Sequence, residues 1–239
     1  MERILENNLL LEVSNLPEHV GSITTTKYSN ILMLMKDTGS KSKKFYVDLN
    51  FLWKHFSIKK VILTEQLHTN NIRLVEEKMP SEYYGCDGLV TSKSYTAIGI
   101  ITADCFVVQL YGRNLIANLH CGWRGIYAGI IEKACIYFSE VGEEICGAIV
   151  GPGICEKCYV VSYDFVEKFD KKYGSHNFYN IIDKKYHFSL RSIIEYILKK
   201  SGIYNISHLD CCSSCSNLLY SYRRDNKTDK RMLSLIWKK

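Results

Sequence analysis

Three apolar runs of strand length stand close together in the middle of the chain. Ile98 to Thr102 and Phe106 to Tyr111 are rich in β-branched residues, which favours buried β-strands, and Leu115 to Leu119 is a third apolar run. A polar corner that carries Cys105 separates the first two runs, and His120 directly follows the third. Because α/β proteins commonly place their chemistry where strands end at one edge of a sheet, this thiol and this imidazole are predicted to meet there.

Apolar residues at helical spacing predict the helices. Gly125 to Phe138 carries one apolar stripe, and Asn50 to Phe56 predicts a short helix. Ser162 and Ser189 are each followed by an amphipathic pattern, which predicts that both serines cap helices. The pattern after Ser189 is the stronger one, and Gly202 stands where that helix is expected to stop.

Shorter apolar runs predict further strands on both sides of these elements. These are Leu9 to Val13, Ile31 to Met35, Phe45 to Leu49, Lys60 to Thr64, Leu89 to Thr91, Ile145 to Val150, Ile206 to Leu209 and Met232 to Trp237. Thr38 to Ser42 predicts a loop, so the second and third runs are expected to form a hairpin. Strands and helices mix without regular βαβ alternation, which predicts an α+β fold with helices outside the sheet, not a Rossmann fold.

Composition adds a domain count and narrows the possible partners. The 239 residues are 46% hydrophobic and contain no linker, repeat or dinucleotide or ATP motif, so we expect a single domain over residues 1–239. We expect a cytoplasmic protein, because neither a signal peptide nor an apolar run of membrane-spanning length is present. The net charge of +6 comes from scattered lysines, which favours a solvated surface over a nucleic-acid footprint, although it helps to attract anions.

Two histidines and a cysteine predict a metal site. His68, Cys105 and His120 lie at the ends of three predicted strands, and this donor set suits a catalytic zinc ion with an open position for water. Two other interpretations stay open at this stage. Cys105 can be a nucleophile with His120 as its base, or the three can be a buried cysteine with unrelated histidines.

Two arginines are candidates for binding an anion. Arg124 lies at a predicted helix start, where free backbone N–H groups and the helix dipole favour a phosphate. Arg223 supplies a second candidate contact near the end of the chain. The structural alternatives are an Arg124 that pairs with a carboxylate and an Arg223 that belongs to a surface pair.

Ten cysteines in a chain of this length favour metal binding or catalysis over a disulfide scaffold, although most can equally be buried small hydrophobes. Four of them form two CxxC pairs, Cys155 with Cys158 and Cys212 with Cys215. Together the pairs can hold a structural zinc, but their separation is much longer than the roughly 15–20 residues of a zinc ribbon.

Several motifs in sequence order resemble the laccase-domain (YfiH-like) family, whose members are labelled polyphenol oxidase, purine nucleoside phosphorylase or peptidoglycan editing factor. The central match is Thr102 to Cys105 followed by His120 to Gly125. The other matching segments are Glu65 to His68, Asp87 to Thr91, Gly151 to Ile154 with Cys158-Tyr159, Ser221 to Asp225, Arg231-Met232 and Ser234 to Trp237. The resemblance covers the chain from about residue 60 to its end.

The resemblance implies a fold, a site and an activity. The implied fold is a layered α/β/β/α arrangement with mixed sheets and outer helices. The family's metal ligands fall on His68, Cys105 and His120, and we expect Arg124 and Arg223 to bind substrate. The implied activity is zinc-dependent phosphorolysis of adenosine, inosine or methylthioadenosine and hydrolytic deamination of adenosine, with a purine nucleoside and phosphate as the partners.

The chain departs from the family pattern at Cys121, where Ala is usual, and at Cys155, where Gly is usual. The family's N-terminal Thr-Arg-x-Gly-Gly segment is not recognisable, and Lys27 stands in place of its arginine. Alternative functions are a peptidoglycan-precursor editing hydrolase, a copper-dependent polyphenol oxidase and a non-enzymatic partner protein. Copper is less favoured than zinc, because seven histidines without a His-x-His pair do not build a multicopper site.

Overall fold

Strands dominate the structure, a computed structural model that describes residues 2–5, 9–34, 45–75, 82–174 and 178–239. The strands that begin before residue 100 are β1 (Glu2–Leu5), β2 (Leu10–Val13), β3 (Val20–Thr25), β4 (Leu32–Leu34), β5 (Phe45–Val47), β6 (Lys60–Glu65), β7 (Ile72–Leu74), β8 (Glu82–Tyr84), β9 (Gly88–Thr91) and β10 (Thr96–Thr102). The later ones are β11 (Phe106–Tyr111), β12 (Ile116–Cys121), β13 (Gly147–Val150), β14 (Val160–Val161), β15 (Tyr179–Ile182), β16 (Lys185–Phe188), β17 (Ile206–His208) and β18 (Met232–Lys238).

The helices of the described residues are α1 (Leu49–Phe56), α2 (Trp123–Ala128), α3 (Ile130–Glu140), α4 (Tyr163–Tyr173) and α5 (Leu190–Lys200), with a short 3-10 turn at Glu156–Cys158. Both predicted serine caps are confirmed. Ser162 accepts a hydrogen bond from the backbone N–H of Phe165, and Ser189 accepts one from that of Ser192. None of the described helices is long and apolar enough to cross a membrane.

Two large mixed sheets form the centre of the fold. The first has the strand order β1-β2-β3-β18-β10-β6-β8, and the second has the order β17-β13-β11-β12-β9-β7. Both sheets combine antiparallel and parallel pairs. For example, β6 runs parallel to β10 in the first sheet, and β17 runs parallel to β13 in the second. A small antiparallel sheet, β14-β16-β15, lies apart from them, and β4 pairs with β5 as the predicted hairpin requires. The predicted loop from Thr38 to Ser42 lies outside the described residues.

Apolar packing defines four layers. Ile62, Ile98 and Ile236 of the first sheet meet Leu89 and Ile116 of the second in one buried cluster between the sheets. A second cluster packs α1 against the outer face of the first sheet, and a third packs α3, α4 and α5 against the outer face of the second. The predicted α+β fold with a layered α/β/β/α arrangement and outer helices is therefore confirmed.

The helix predicted from Gly125 to Phe138 is two helices, which corrects the sequence prediction. Gly129 has a left-handed backbone with φ of 85° and ends α2, and α3 begins at the next residue. The backbone N–H of Gly129 donates a hydrogen bond to the carbonyl of Ile126, which closes the last turn of α2. The apolar stripe continues across the break, so the pattern alone does not reveal it.

The strand β3 was not predicted from the sequence. Each of its residues is buried, including Ser22 and Thr24, so it lacks the alternation that marks a half-exposed strand. The Ser22 hydroxyl donates to Gln109 at 2.6 Å, and the Thr24 hydroxyl lies 2.8 Å from that of Ser234. These hydrogen bonds allow polar residues to lie between two apolar layers.

Candidate metal centre

The structure brings His68, Cys105 and His120 together. His68 follows β6 with a left-handed φ of 59°, Cys105 directly precedes β11, and His120 lies near the end of β12. One ligand atom from each of the three lies within 4.8 Å of the others. The two imidazole rings are 4.8 Å apart between centroids and nearly perpendicular, at 74°. Three side chains from separate strands thus converge on one point.

Asp87 organises this group, although in the sequence it stands out only as the first residue of a family motif. It is fully buried and accepts hydrogen bonds from the backbone N–H groups of Leu67, His68 and Thr69 at 3.2, 2.9 and 2.7 Å. Its carboxylate also accepts the Thr69 hydroxyl and lies 2.7 Å from Nδ1 of His120. Asp87 therefore fixes the unusual backbone of His68 and leaves Nε2 of His120 to face a metal, as carboxylate–histidine pairs do in metal sites.

Cys105, His120 and Asp87 stabilise one another in their charged forms. Burial alone raises the pKa of the Cys105 thiol, but His120 and His68 lower it to about 6. Burial alone lowers the pKa of His120, but Cys105 and Asp87 raise it to about 9. Burial alone raises the pKa of Asp87, yet hydrogen bonds from His120 and Thr69 lower it to about 2. Cys105 is therefore a thiolate at neutral pH, the form that binds metals.

Gly122 leaves the space that this centre needs. A Cβ atom at this position would lie 3.0 Å from Sγ of Cys105 and 3.2 Å from Cδ2 of His68. We expect Gly122→Ala to push these three side chains apart and to weaken metal binding in the cleft by about tenfold or more, measured by competition with a chromophoric chelator. Gly151→Ala is the matched control, since its Cβ would meet only Val107 at ordinary contact distance. Equal affinities in the two variants would contradict this geometry.

The centre lines a cleft of about 1270 Å³, which Arg124, Tyr159 and Arg223 also line. The Arg124 guanidinium lies over the Trp123 ring at 4.4 Å, and the Arg223 guanidinium lies 5.0 Å from the centre of the Tyr159 ring. Burial and the Cys105 charge raise the pKa of Tyr159 to about 12, while both arginines oppose that shift. Both predicted anion-binding residues are thus close to Tyr159, beside the three candidate metal ligands.

Two further residues support the site, and sequence reasoning assigned neither a role. The Gln66 amide pairs with both backbone groups of Ile101 at 2.8 and 2.9 Å, which ties the chain before His68 to β10. Asp104, with φ of 86°, accepts the backbone N–H of Arg223 at 2.8 Å and the Ser213 hydroxyl at 2.7 Å. The loop that carries Arg223 is therefore anchored to the residue next to Cys105.

The two CxxC pairs also meet. The Sγ atoms of Cys155, Cys158, Cys212 and Cys215 all lie within 4.8 Å of one another. Within the described ranges, this cluster and the group in the cleft are the two sets of at least three His, Cys, Asp or Glu side chains placed to hold a metal ion.

Comparison with known proteins agrees with this geometry. A purine nucleoside phosphorylase of Aquifex aeolicus (strain VF5) is 34% identical over 178 residues, which cover 74% of this chain and 82% of the relative. Adenosine deaminase RL5, from an unknown prokaryotic organism, is 28% identical over 199 residues, 75% of each chain. The crystal structure of the hypothetical protein YfiH of Bacillus licheniformis superposes with a TM-score of 0.84 at 24% identity, covering 100% of this chain and 99% of that one.

The structural likeness to YfiH shows that the two proteins share a fold. The family described as multi-copper polyphenol oxidoreductase laccase matches residues 21–239, which include His68, Cys105 and His120. With a family match over most of its length and a relative above 30% identity, this chain belongs to that laccase-domain family.

Proposed function

We propose that this protein is a zinc-dependent purine nucleoside enzyme. Its reactions are phosphorolysis of adenosine, inosine or methylthioadenosine and hydrolytic deamination of adenosine. The observation that carries the proposal is the convergence of His68, Cys105 and His120 on a cleft that two arginines also line. The names of the relatives, purine nucleoside phosphorylase and adenosine deaminase, point to the same substrates.

The donor set supports zinc as the metal in the cleft. Two imidazoles and one thiolate are a common zinc set with one position open, and zinc when bound supplies a Lewis acid for activating water or polarising a substrate. The Asp87 contact with His120 fits this assignment, because such contacts orient the ligand ring.

A copper oxidase of the multicopper type is less well supported, despite the name of the family. Such an enzyme needs a blue-copper site together with further histidine-rich copper sites. In the part of the chain that the structure describes, the only other candidate metal group consists of four cysteines and has no histidine. That second group therefore offers thiolates alone and cannot supply the missing imidazole ligands.

The residues of the cleft support the binding of phosphate and a purine nucleoside. In phosphorolysis, a phosphate oxygen forms a bond to C1′ of the ribose as the bond from C1′ to N9 of the base breaks. Arg124 and Arg223 hold the phosphate and balance its charge through charge-assisted hydrogen bonds. Tyr46 and Tyr222 line the same cleft with exposed rings, against which a purine can stack.

Turnover assays test this proposal directly. Purified zinc-loaded protein should release free base and ribose 1-phosphate from inosine in the presence of phosphate, and should convert adenosine and water to inosine and ammonia. A peptidoglycan precursor serves as the alternative substrate in the same assay. Turnover of that precursor without turnover of any purine nucleoside would contradict the proposal.

Arg124 separates the two reactions. We expect Arg124→Ala to lower kcat/KM for phosphate in phosphorolysis by about 10²-fold, because a charge-assisted hydrogen bond contributes up to about 3 kcal/mol. Deamination uses water instead of phosphate and should change by less than about twofold. Arg113→Ala, at an exposed turn between β11 and β12, is the matched control and should change neither rate. Equal losses in both reactions would assign Arg124 a structural role.

A further inference from the structure

We propose that Cys155, Cys158, Cys212 and Cys215 bind a second zinc ion with a structural role, separate from the metal centre in the cleft. This site is defined by its own residues, so it does not depend on the proposed purine nucleoside activity. Its four cysteine sulfurs would fill all four positions around a zinc ion, which is the pattern of structural zinc sites.

The sulfur positions fit a tetrahedral metal. Four sulfurs at the usual Zn–S length of about 2.3 Å are about 3.8 Å apart from one another. Sγ of Cys215 lies 3.7 Å from that of Cys155 and 3.3 Å from that of Cys158, and all four sulfurs fall within 4.8 Å. These separations are close to those of a zinc tetrathiolate, so only small side-chain adjustments are needed for the four sulfurs to surround one zinc ion.

Backbone groups around Cys212 are placed to support a thiolate. The N–H groups of Cys155 and Cys215 point at Sγ of Cys212 at 3.2 and 3.4 Å. Each CxxC pair is also folded into a tight turn, since the N–H of Cys158 donates to the carbonyl of Cys155 and that of Ser216 donates to Cys212. Turns with N–H groups directed at sulfur present both thiols of a pair to one point and stabilise the bound state.

The topology explains why the two pairs meet despite their long separation in sequence. β17 runs parallel to β13, with His208 opposite Val150, so both strands end at the same edge of the sheet. One CxxC pair follows each strand, and a bridge between Gly153 and Cys212 joins the two loops. A zinc ribbon reaches the same arrangement with hairpins, which is why its short spacing rule does not apply here.

A zinc ion at this position would stabilise the wall of the cleft. Ser213, between Cys212 and Cys215, donates its hydroxyl to Asp104, and Asp104 also accepts the backbone N–H of Arg223. The Arg224 side chain donates to three carbonyls of the same loop, those of residues 213, 214 and 216. The cysteine cluster therefore joins the loop that carries Arg223 to the segment before Tyr159.

Metal analysis of single variants tests the proposal. We expect wild-type protein to hold about two zinc ions per chain, and Cys158→Ser and Cys215→Ser each to lose about one. Cys146→Ser, which removes an exposed cysteine outside the cluster, should keep both. His68→Ala should also lose about one zinc, and X-ray absorption at the zinc that remains should show four sulfur neighbours at about 2.3 Å.

Alkylation of the unmodified wild-type protein tests the same site if a cysteine variant does not fold. In zinc-loaded protein, the four cluster cysteines should resist iodoacetamide while Cys146 reacts, and all should react after a strong chelator is added. A disulfide between Cys158 and Cys215 is the competing chemistry, and it lowers the mass by two hydrogens. The proposal would be overturned if freshly purified wild-type protein had the mass of this disulfide form and X-ray absorption showed only zinc sites that include nitrogen ligands. Iron bound at the cluster would also overturn it.

Discussion

His68→Ala is expected to lower turnover of purine nucleosides by about 10³-fold or more, because in the proposed function it removes a ligand of the metal that activates the reacting group. His68 is exposed at the end of β6, so its loss should shift the melting temperature by only a few degrees, about that of an ordinary surface substitution. Zinc content should fall by about one ion per chain, with the cysteine cluster still filled. His55→Ala, on α1, is the matched control.

The same variant separates a metal centre from a cysteine nucleophile. A nucleophilic Cys105 needs only His120 as its base, so His68→Ala would then retain most of the activity. Since the pKa of Cys105 is about 6 without a metal, its thiolate should react rapidly with iodoacetamide in metal-free protein. Bound zinc should block that reaction. Rapid alkylation of metal-loaded protein, together with activity that survives chelation, would refute the metal centre.

The sequence predicts that His68, Cys105 and His120 lie near the ends of strands because each stands beside a strongly apolar run. Cys105 stands at the corner between β10 and β11, and His120 near the end of β12, so their meeting follows from the antiparallel pairing of two consecutive strands. In the pairing of β11 with β12, Val107 lies opposite His120, and Val107 is only two residues after Cys105 in the chain. His68 comes from the other sheet, and its position depends on a backbone that the sequence pattern does not encode.

The residues that position this centre could not be predicted in the same way. Asp87 lies in a turn between β8 and β9, and a carboxylate in such a turn usually faces solvent. Its role becomes visible only when the chain on either side brings Leu67 to Thr69 and His120 around it. The meeting of the two CxxC pairs likewise depends on the parallel pairing of β13 and β17, which is a long-range feature.

Polarity also limited the prediction of the fold. β3 carries Ser22, Thr24 and Thr25 in the interior, and their hydroxyls bond to Gln109, Ser234 and the backbone N–H of Leu233. Hydrophobic periodicity detects apolar burial, so a strand whose polar groups are paired inside the protein does not produce the expected signal.

Asp87→Ala is expected to be the most destabilising of these substitutions. It leaves the backbone N–H groups of Leu67, His68 and Thr69, and Nδ1 of His120, without their carboxylate acceptor. Unpaired buried donors cost about 1–3 kcal/mol each, and partial access of water to the loop limits the total loss to about 3–5 kcal/mol. For a chain of this size, that loss lowers Tm by about 10 °C, measurable by calorimetry of the metal-free protein.

The pH dependence of stability distinguishes the charge of Asp87 from its shape. The pKa of Asp87 is about 2 in the folded protein, below the ordinary value of 3.8, so its ionised form stabilises the fold. That contribution is fully present above about pH 4 and is lost as the pH falls towards 2. The difference in unfolding free energy between the wild type and Asp87→Asn should therefore shrink on acidification. A constant difference across this range, with unchanged zinc affinity, would show that the carboxylate charge does not organise the centre.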